Sequence, residues 1–200
     1  MNETSVRSGW DTGDWSGLPP VRIHRYDPRR TERYEGARRE IARALAGLDV
    51  QIEHIGSTAV AGLWARKGID ILIGLGEPAD AETCAGRLQG IGFHYHFSNS
   101  EWTHLSGRGC KLHLTPLGST FWSEHLLLRD YLRRHPEAVS AYQRLKQELA
   151  QKHGPDGRQY VEGKTGFVRS VVERARREGR PQGMAPSQTE RGRSGHRGAV

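Results

Sequence analysis

Apolar and polar residues follow one another in patterns that predict strands and helices between residues 21 and 176. Short apolar or alternating runs predict strands at 21–26, 51–55, 69–75, 92–98, 102–105 and 110–115. Apolar residues repeating every three to four positions predict helices at about 27–48, 78–90, 120–135, 142–149 and 159–177. This mixture favours an α/β (α+β) fold, in which a mixed β-sheet has flanking helices and a helical C-terminal segment follows.

Finer predictions concern which side chains share a face. In the first helix, Tyr34, Ile41 and Leu45 lie on an apolar stripe, and five arginines are expected on its wet face: Arg29, Arg30, Arg33, Arg38 and Arg39. In the 92–98 strand, alternation places three aromatic residues on one face: Phe93, Tyr95 and Phe97.

Asp70 is the only charged residue in the predicted strand 69–75, where every other side chain is aliphatic or glycine. Removing a carboxylate from water is unfavourable unless cations, protons or hydrogen-bond donors compensate its charge. Asp70 is therefore the first candidate for a functional residue.

A Gly56-Ser57-Thr58 turn precedes that strand. Glycine permits unusual backbone angles and a close ligand approach, and the two hydroxyl side chains can cap a helical turn over 59–63. Free N–H groups at such a helix start favour an anion, and two basic residues, Arg66 and Lys67, follow. Gly-Ser-Thr is also an ordinary helix cap, so the anion-binding interpretation depends on the combination with Asp70.

These stretches resemble the signature of a known family. HIGSTAVAGL and KGIDILI are similar to the pattern HIGSTxVPGLxAKPxIDIL of the GrpB (UPF0157) family. The resemblance runs from about Val21 to Arg176 and includes HLLLRDYLRRHPEAVSAYQRLKQELA and YVEGKTGF. That family is similar to the nucleotidyltransferase superfamily, in which a Gly-Ser turn positions a nucleoside triphosphate and acids on the next strands hold magnesium. The resemblance therefore implies a nucleotidyltransferase-like fold.

The resemblance also implies roles for individual residues. Ser57 and Thr58 would hold the terminal phosphates, and Asp70 would ligate a divalent cation, Mg²⁺ or Mn²⁺. Phosphate charge would be neutralised by lysines: Lys67, Lys111 and Lys164. His113 with Glu53 or His54 would complete the site. Candidate ligand contacts that match the C-terminal motifs are Arg129, Asp130, Lys146, Tyr160 and Lys164, although each alone is also explained as a salt-bridge partner on a helix face.

The strand CKLHLT occupies the place where the superfamily often has a third acid. Alternation points Lys111 and His113 to one face and Leu112 and Leu114 to the other. His113 is then either a metal ligand or proton carrier beside Asp70, or a structural histidine satisfied by hydrogen bonds at the sheet edge. Both interpretations stay open at this point.

The chain departs from the superfamily pattern at three positions. Two acids separated by one residue would project from one face of the strand, but Asp70 is followed by Leu72, so the metal-binding pair is incomplete. Ala61 and Gly68 stand where the family usually has proline, which predicts a less rigid connector.

Three functions fit these residues. The first is a nucleotidyltransferase-like enzyme acting on a nucleoside triphosphate and a small acceptor. The second is a nucleotide-binding or accessory domain without turnover. The third is a small-metabolite enzyme in which Asp70, His113 and Glu53 perform acid–base chemistry without a nucleotide.

Charge and composition narrow the class of partner. The net charge is +7, of which five arginines and two glutamates in residues 177–200 contribute +3, so the body of the chain is only mildly basic. This argues against nucleic acid as the main partner and favours a small-molecule or nucleotide ligand. The two cysteines are too few for a disulfide framework, and the sequence has no signal peptide and no apolar run of membrane-spanning length. We therefore expect no membrane association and a cytoplasmic location.

The composition also predicts the domain boundaries. Residues 1–20 predict a flexible arm in which Trp10 and Trp15 are candidates for docking, residues 21–176 form the GrpB-like domain, and residues 177–200 predict a disordered basic tail.

Overall fold

The computed structural model describes residues 20–76 and 80–179. Its strands are β1 (Val50–Ile55), β2 (Ile69–Leu75), β3 (His94–Ser98), β4 (Thr103–Gly107) and β5 (Cys110–Pro116). Its helices are α1 (Arg29–Ala44), α2 (Ala81–Gln89), α3 (Thr120–Arg134), α4 (Pro136–His153) and α5 (Gly157–Glu178). The predictions for the arm, including Trp10 and Trp15, and for most of the tail fall outside the described residues. None of the described helices is long and apolar enough to span a membrane.

The strands form one mixed sheet in the order β1-β2-β5-β4-β3. Strands β2 and β5 are parallel, and the other neighbouring pairs are antiparallel. This confirms the predicted α/β fold and puts β5 at the centre of the sheet, directly beside Asp70 on β2.

Alternation along the central strands divides the sheet into two faces. One face packs against α1 and α2, and its buried residues include Ile71, Ile73, Leu112 and Leu114. The other face carries Leu72 of β2, which packs with Phe121 and Trp122 of α3. Asp70 lies on this second face because it is two residues before Leu72.

Helices α3, α4 and α5 form a second core of their own. Their apolar residues, among them Leu128, Tyr142 and Val171, enclose Val60 and Leu63 from the connector between β1 and β2. The connector therefore joins the sheet to the helical layer, which is the arrangement that positions the candidate site.

The segment 21–26 does not form the predicted strand. Among the described residues it makes a single isolated bridge, between His24 and Ala65 of the connector, and the N–H of Val21 donates to the carbonyl of Gly154. The segment passes between the connector and the end of α4, so no neighbouring strand is available to extend the ladder.

Three local predictions were wrong. Arg30 is only 7% exposed, because the first turn of α1 packs against the connector, while the other four arginines named in the prediction are exposed. An irregularity between Tyr95 and Phe97 turns Phe97 toward Trp102 on the α3 face, whereas Phe93 packs on the α1 face. The predicted helical turn over 59–63 is instead a 3₁₀ turn at Ser57–Ala59.

Gly74 gives a test of how tightly α3 packs on the sheet. A Cβ at this position would lie 2.6 Å from the Trp122 ring and would also overlap the side chain of Leu117. Gly74→Ala is therefore expected to lower the free energy of unfolding by about 1–3 kcal/mol, measured by urea denaturation. Gly36→Ala is the matched control: this site in α1 has no heavy atom within 4 Å of a built Cβ, and alanine there should stabilise by about 0.5–1 kcal/mol. Equal effects at both positions would contradict this packing.

Candidate functional site

The Gly56 turn lies directly against Asp70. Gly56 has φ 69° and ψ −167°, and a Cβ at this residue would lie 3.0 Å from the Asp70 Oδ2 atom. Glycine is required here both by its positive φ and by the close approach of the carboxylate. The structure thus brings the serine turn and the buried-strand aspartate together, as the sequence predicted.

His113 and Lys111 of β5 share the face of Asp70. Lys111 is the register neighbour of Asp70 on the parallel strand, and His113 lies two residues further on. The Nε2 atom of His113 is 3.6 Å from the Oδ1 atom of Asp70, and the two side chains are 14% and 30% exposed. Asp70 is therefore accessible enough to meet a ligand while remaining next to an imidazole.

Aromatic contacts hold the His113 ring in place. It stacks on His104 at 5.5 Å and on His125 at 6.4 Å, and it lies 5.1 Å from the Trp102 ring. Its Nδ1 atom is buried without a hydrogen-bond partner among the described residues. The position at the sheet edge is wrong, because β5 is the central strand of the sheet. Ring packing orients the His113 side chain, and its Nε2 atom faces Asp70.

Lys146 of α4 fastens the connector to the helical layer. Its ammonium donates to the Ser57 Oγ atom at 3.0 Å and to the carbonyl oxygen of Trp64, and it lies 4.9 Å from the centre of the Tyr142 ring. Lys146 is only 2% exposed, so it lies behind Ser57 and holds this hydroxyl in position. Burial and the charge of Arg30 lower the pKa of Lys146 to about 7.

Lys164 of α5 is a second lysine near this turn. Its ammonium lies 4.8 Å from the centre of the Tyr160 ring, and unlike Lys146 the side chain is partly exposed. Burial and the charges of Arg66 and Lys146 lower the pKa of Lys164 to about 7. Burial also raises the pKa of Tyr160 to about 12, so its hydroxyl remains a donor.

Arg66 completes a group of cations around Asp70. It is partly exposed, and its charge acts on Asp70, Lys111 and Lys164. Burial opposes the ionisation of Asp70, but the nearby Lys111, His113 and Arg66 outweigh burial and hold the pKa of this carboxyl well below its usual range. We call the partly exposed residues of this group the Asp70 site: Ser57, Arg66, Asp70, Lys111, His113 and Lys164.

The structure does not bring His54 and Thr58 into the Asp70 site. His54 faces α1, where its ring stacks on Tyr34 at 4.5 Å, and its Nε2 atom lies 2.9 Å from the Thr58 Oγ1 atom. Both residues are buried, and burial lowers the pKa of His54 to about 4. The buried His54–Thr58 pair supports the Gly56-Ser57-Thr58 turn from its α1 side, so neither side chain is placed to contact a ligand.

Glu53 and Arg129 are joined to each other. The Arg129 guanidinium donates to the Glu53 Oε2 atom at 2.5 Å, to the carbonyl of His54 and to both carboxylate oxygens of Asp130. These bonds fasten α3 to β1. In this arrangement Glu53, Arg129 and Asp130 form an ion-pair network instead of a ligand site.

Lys67 lies in a different place from its neighbour Arg66. It is exposed and lines a cavity of about 710 Å³ with Arg25, Arg33 and Arg108, whose lining includes neither Ser57 nor Asp70. Glu40 pairs with Arg108 in the same cavity. Arg66 therefore takes the position by the aspartate for which the sequence proposed Lys67.

Sequence reasoning missed Arg66 as the cation beside Asp70, and it missed the ring stack of His104, His113 and His125. A run of two adjacent basic residues gives no signal about which one turns inward. The histidines lie on different elements, and only the assembled sheet and α3 bring them together. Lys146 and Lys164 were named through the C-terminal motifs, but their different depths are visible only in the structure.

The donor set does not fit a magnesium ion held by the chain alone. Residues 20–76 and 80–179 contain no group of three or more acidic, histidine or cysteine side chains that could hold a metal. Asp70 and His113 offer one carboxylate and one imidazole, whereas magnesium prefers about six oxygen ligands in octahedral geometry.

Comparison with known proteins identifies relatives along most of the chain. A UPF0157 protein of Pseudomonas aeruginosa is 31% identical over 178 residues, covering 83% of this chain and 73% of the relative. A UPF0157 protein of Halalkalibacterium halodurans is 29% identical over 160 residues, covering 78% and 82%. The crystal structure of GrpB from Enterococcus faecalis superimposes with a TM-score of 0.71 at 27% identity, covering 78% of this chain and 98% of that one.

A weaker likeness is found to the Cid1 poly(U) polymerase, with a TM-score of 0.48 and 16% identity over 64% of this chain and 44% of that one. An alignment this partial supports no conclusion about the chemistry of the Asp70 site. The family itself is clear, because residues 20–174 match the family described as GrpB protein. The chain belongs to the GrpB family.

Proposed function

We propose that the Asp70 site binds the phosphate groups of a nucleoside triphosphate, and that the chain is a nucleotidyltransferase-like enzyme acting on a small acceptor. The observation that carries this proposal is the convergence of three partly exposed cations on one carboxylate, which lies against the turn at Gly56 and Ser57. Cations and hydroxyl donors are the groups that bind phosphate oxygens. A cytoplasmic location, where nucleotides are abundant and thiols stay reduced, belongs to the same proposal.

The chemistry of transfer follows from these positions. An acceptor hydroxyl attacks the α-phosphorus, and the bond to the leaving pyrophosphate breaks. The Nε2 atom of His113 takes the proton of the hydroxyl, because Nδ1 is buried, and Asp70 stabilises the resulting imidazolium. Lys164, Lys111 and Arg66 neutralise the charge that develops on the leaving group. Phosphoryl transfer of this type depends mainly on positioning and charge stabilisation, which is the role proposed for these groups.

A second candidate is a nucleotide-binding domain without turnover. It is favoured by Leu72, which stands at the second acid position and is fully buried against α3. Nucleotide binding without pyrophosphate release would identify this function. Absence of nucleotide binding would favour the third function, in which Asp70 and His113 perform acid–base chemistry on another metabolite.

Lys164 is expected to contribute to triphosphate binding through its charge. Lys164→Met should weaken ATP binding about tenfold, equal to about 1.4 kcal/mol, measured by isothermal titration calorimetry. Lys152→Met is the matched control, because Lys152 is exposed on α4 outside the Asp70 site. Equal losses in the two variants would contradict a specific role, and the same comparison with GTP, CTP and UTP would identify the base.

The affinity for ATP is expected to fall as pH rises above about 7. Burial, Arg66 and Lys146 lower the pKa of Lys164 to about 7, and attraction to Asp70 only partly opposes them. The Lys164 side chain is a charged ammonium below this pH and a neutral amine above it, so its attraction for phosphate weakens as the pH rises. Lys164→Arg, which stays charged, should show a smaller fall. Calorimetric titrations with ATP at pH values below and above about 7 measure the affinity of both proteins. A steeper fall in affinity in Lys164→Arg than in wild type would refute the role of Lys164 in the pH dependence.

Asp70→Asn tests the catalytic part of the proposal. The substitution keeps the shape of the side chain and removes its charge, so the fold should be retained, as judged by circular dichroism. Pyrophosphate release should fall at least about a hundredfold, because the imidazolium of His113 loses its stabilising partner. Unaltered turnover in this variant would remove Asp70 from the mechanism.

A further inference from the structure

The magnesium site implied by the nucleotidyltransferase resemblance lacks its ligands in this chain. Enzymes of this reaction type use divalent cations held by carboxylates to neutralise the phosphates. Asp70 has no acidic partner two residues further along β2, and the described part of the chain holds no cluster of three metal-binding side chains.

Neither the residue two positions further along β2 nor its neighbour on β1 can supply the missing acid. Leu72 is 0% exposed and packs in a hydrophobic cluster with Trp102 and Phe121, so this position is closed to water and ions. Glu53, its register neighbour on β1, is held by Arg129 at 2.5 Å. Releasing Glu53 would leave the guanidinium of Arg129, whose side chain is only 11% exposed, without this partner.

The chain instead places cations beside Asp70. Lys111 occupies the β5 position next to Asp70 and points to the same face. Arg66 comes from the connector and Lys164 from α5, so the positive charges approach Asp70 from three separate elements. Three partly exposed basic side chains against one carboxylate leave an excess of positive charge for an anionic ligand, which is greatest below about pH 7, where Lys164 is charged.

We propose that the Asp70 site binds the triphosphate group of its nucleotide without a divalent metal ion, with the side chains of Lys111, Lys164 and Arg66 supplying the positive charge that magnesium supplies elsewhere. This inference rests on the proposed function. Metal-free triphosphate carries more negative charge than its magnesium complex, so a site that brings its own cations attracts the metal-free form more strongly. Bringing a magnesium ion among these cations would add repulsion without adding protein ligands.

Calorimetry with inorganic tripolyphosphate and with ATP tests the inference independently of turnover. Each probe is titrated into the full chain once with excess EDTA and once with excess magnesium. Affinity in EDTA equal to or greater than affinity in magnesium supports the inference. Binding of either probe that requires magnesium overturns it while leaving the proposed function in place. Absence of binding to ATP and to the other nucleoside triphosphates under both conditions overturns the proposed function as well.

Two substitutions of Lys111 test whether its charge takes the place of the metal ion. Lys111→Met removes the cation without adding a ligand, so metal-free tripolyphosphate should bind about tenfold more weakly and magnesium should not restore the affinity. Lys111→Asp places a second carboxylate beside Asp70, so its weaker metal-free binding should recover on addition of magnesium. Lys152→Asp on the exposed part of α4 is the control for a general change in charge.

The two Lys111 variants have opposite expected responses to magnesium, which a merely structural role of this lysine would not produce. Thermal denaturation verifies that both variants fold. If magnesium strengthens binding to wild type and to both variants alike, the cations do not replace the metal and the inference is wrong.

Discussion

The buried ammonium of Lys146 is the interaction on which the geometry of the site depends. It reaches from α4 to the first residue of the 3₁₀ turn through the Ser57 hydroxyl, and to the end of the connector through the Trp64 carbonyl. Burying a charged amine is unfavourable unless its donors are satisfied, and here two oxygen acceptors and the Tyr142 ring meet it. These acceptors offset the cost of burial only in part, because burial and the charge of Arg30 still lower the pKa of Lys146 to about 7. One side chain of α4 thus holds two points of the connector.

The position of the connector then determines the electrostatics around Asp70. Lys146 holds the turn at Ser57, and the neighbouring Gly56 lies so close to the Asp70 carboxylate that a side chain at Gly56 would collide with it. The end of the connector brings Arg66 to the same carboxylate, and Lys111 adds its charge from the neighbouring strand. Because these positive charges outweigh the effect of burial, Asp70 stays ionised in an apolar strand. The same cations that stabilise the carboxylate are the groups available to an anionic ligand.

The alternation of side chains across the sheet decides which polar residues can act together. Asp70, Lys111 and His113 lie on the α3 face, whereas His54 lies on the α1 face one strand away. Neighbouring residues in the sequence therefore have different roles: Ser57 is held toward the helical layer by Lys146, and Thr58 bonds to His54. Rigid packing of His113 among aromatic rings gives the site a fixed imidazole without a hydrogen bond to its Nδ1 atom.

The sequence by itself determined the α/β class, the bounds of most helices and strands to within a few residues, and the common face of Lys111 and His113; the pairing of β2 with β5 then put Asp70 on that face. These features follow from local periodicity, since a strand alternates its side chains whatever lies beyond it. Tertiary structure decided which of Arg66 and Lys67 turns inward, why Arg30 is buried, and that Glu53 pairs with Arg129. It also separated Lys146, behind the turn, from Lys164, which stays partly exposed. These outcomes depend on how segments distant in sequence pack together, and burial and charge pairing between such segments leave no periodic signal in the chain.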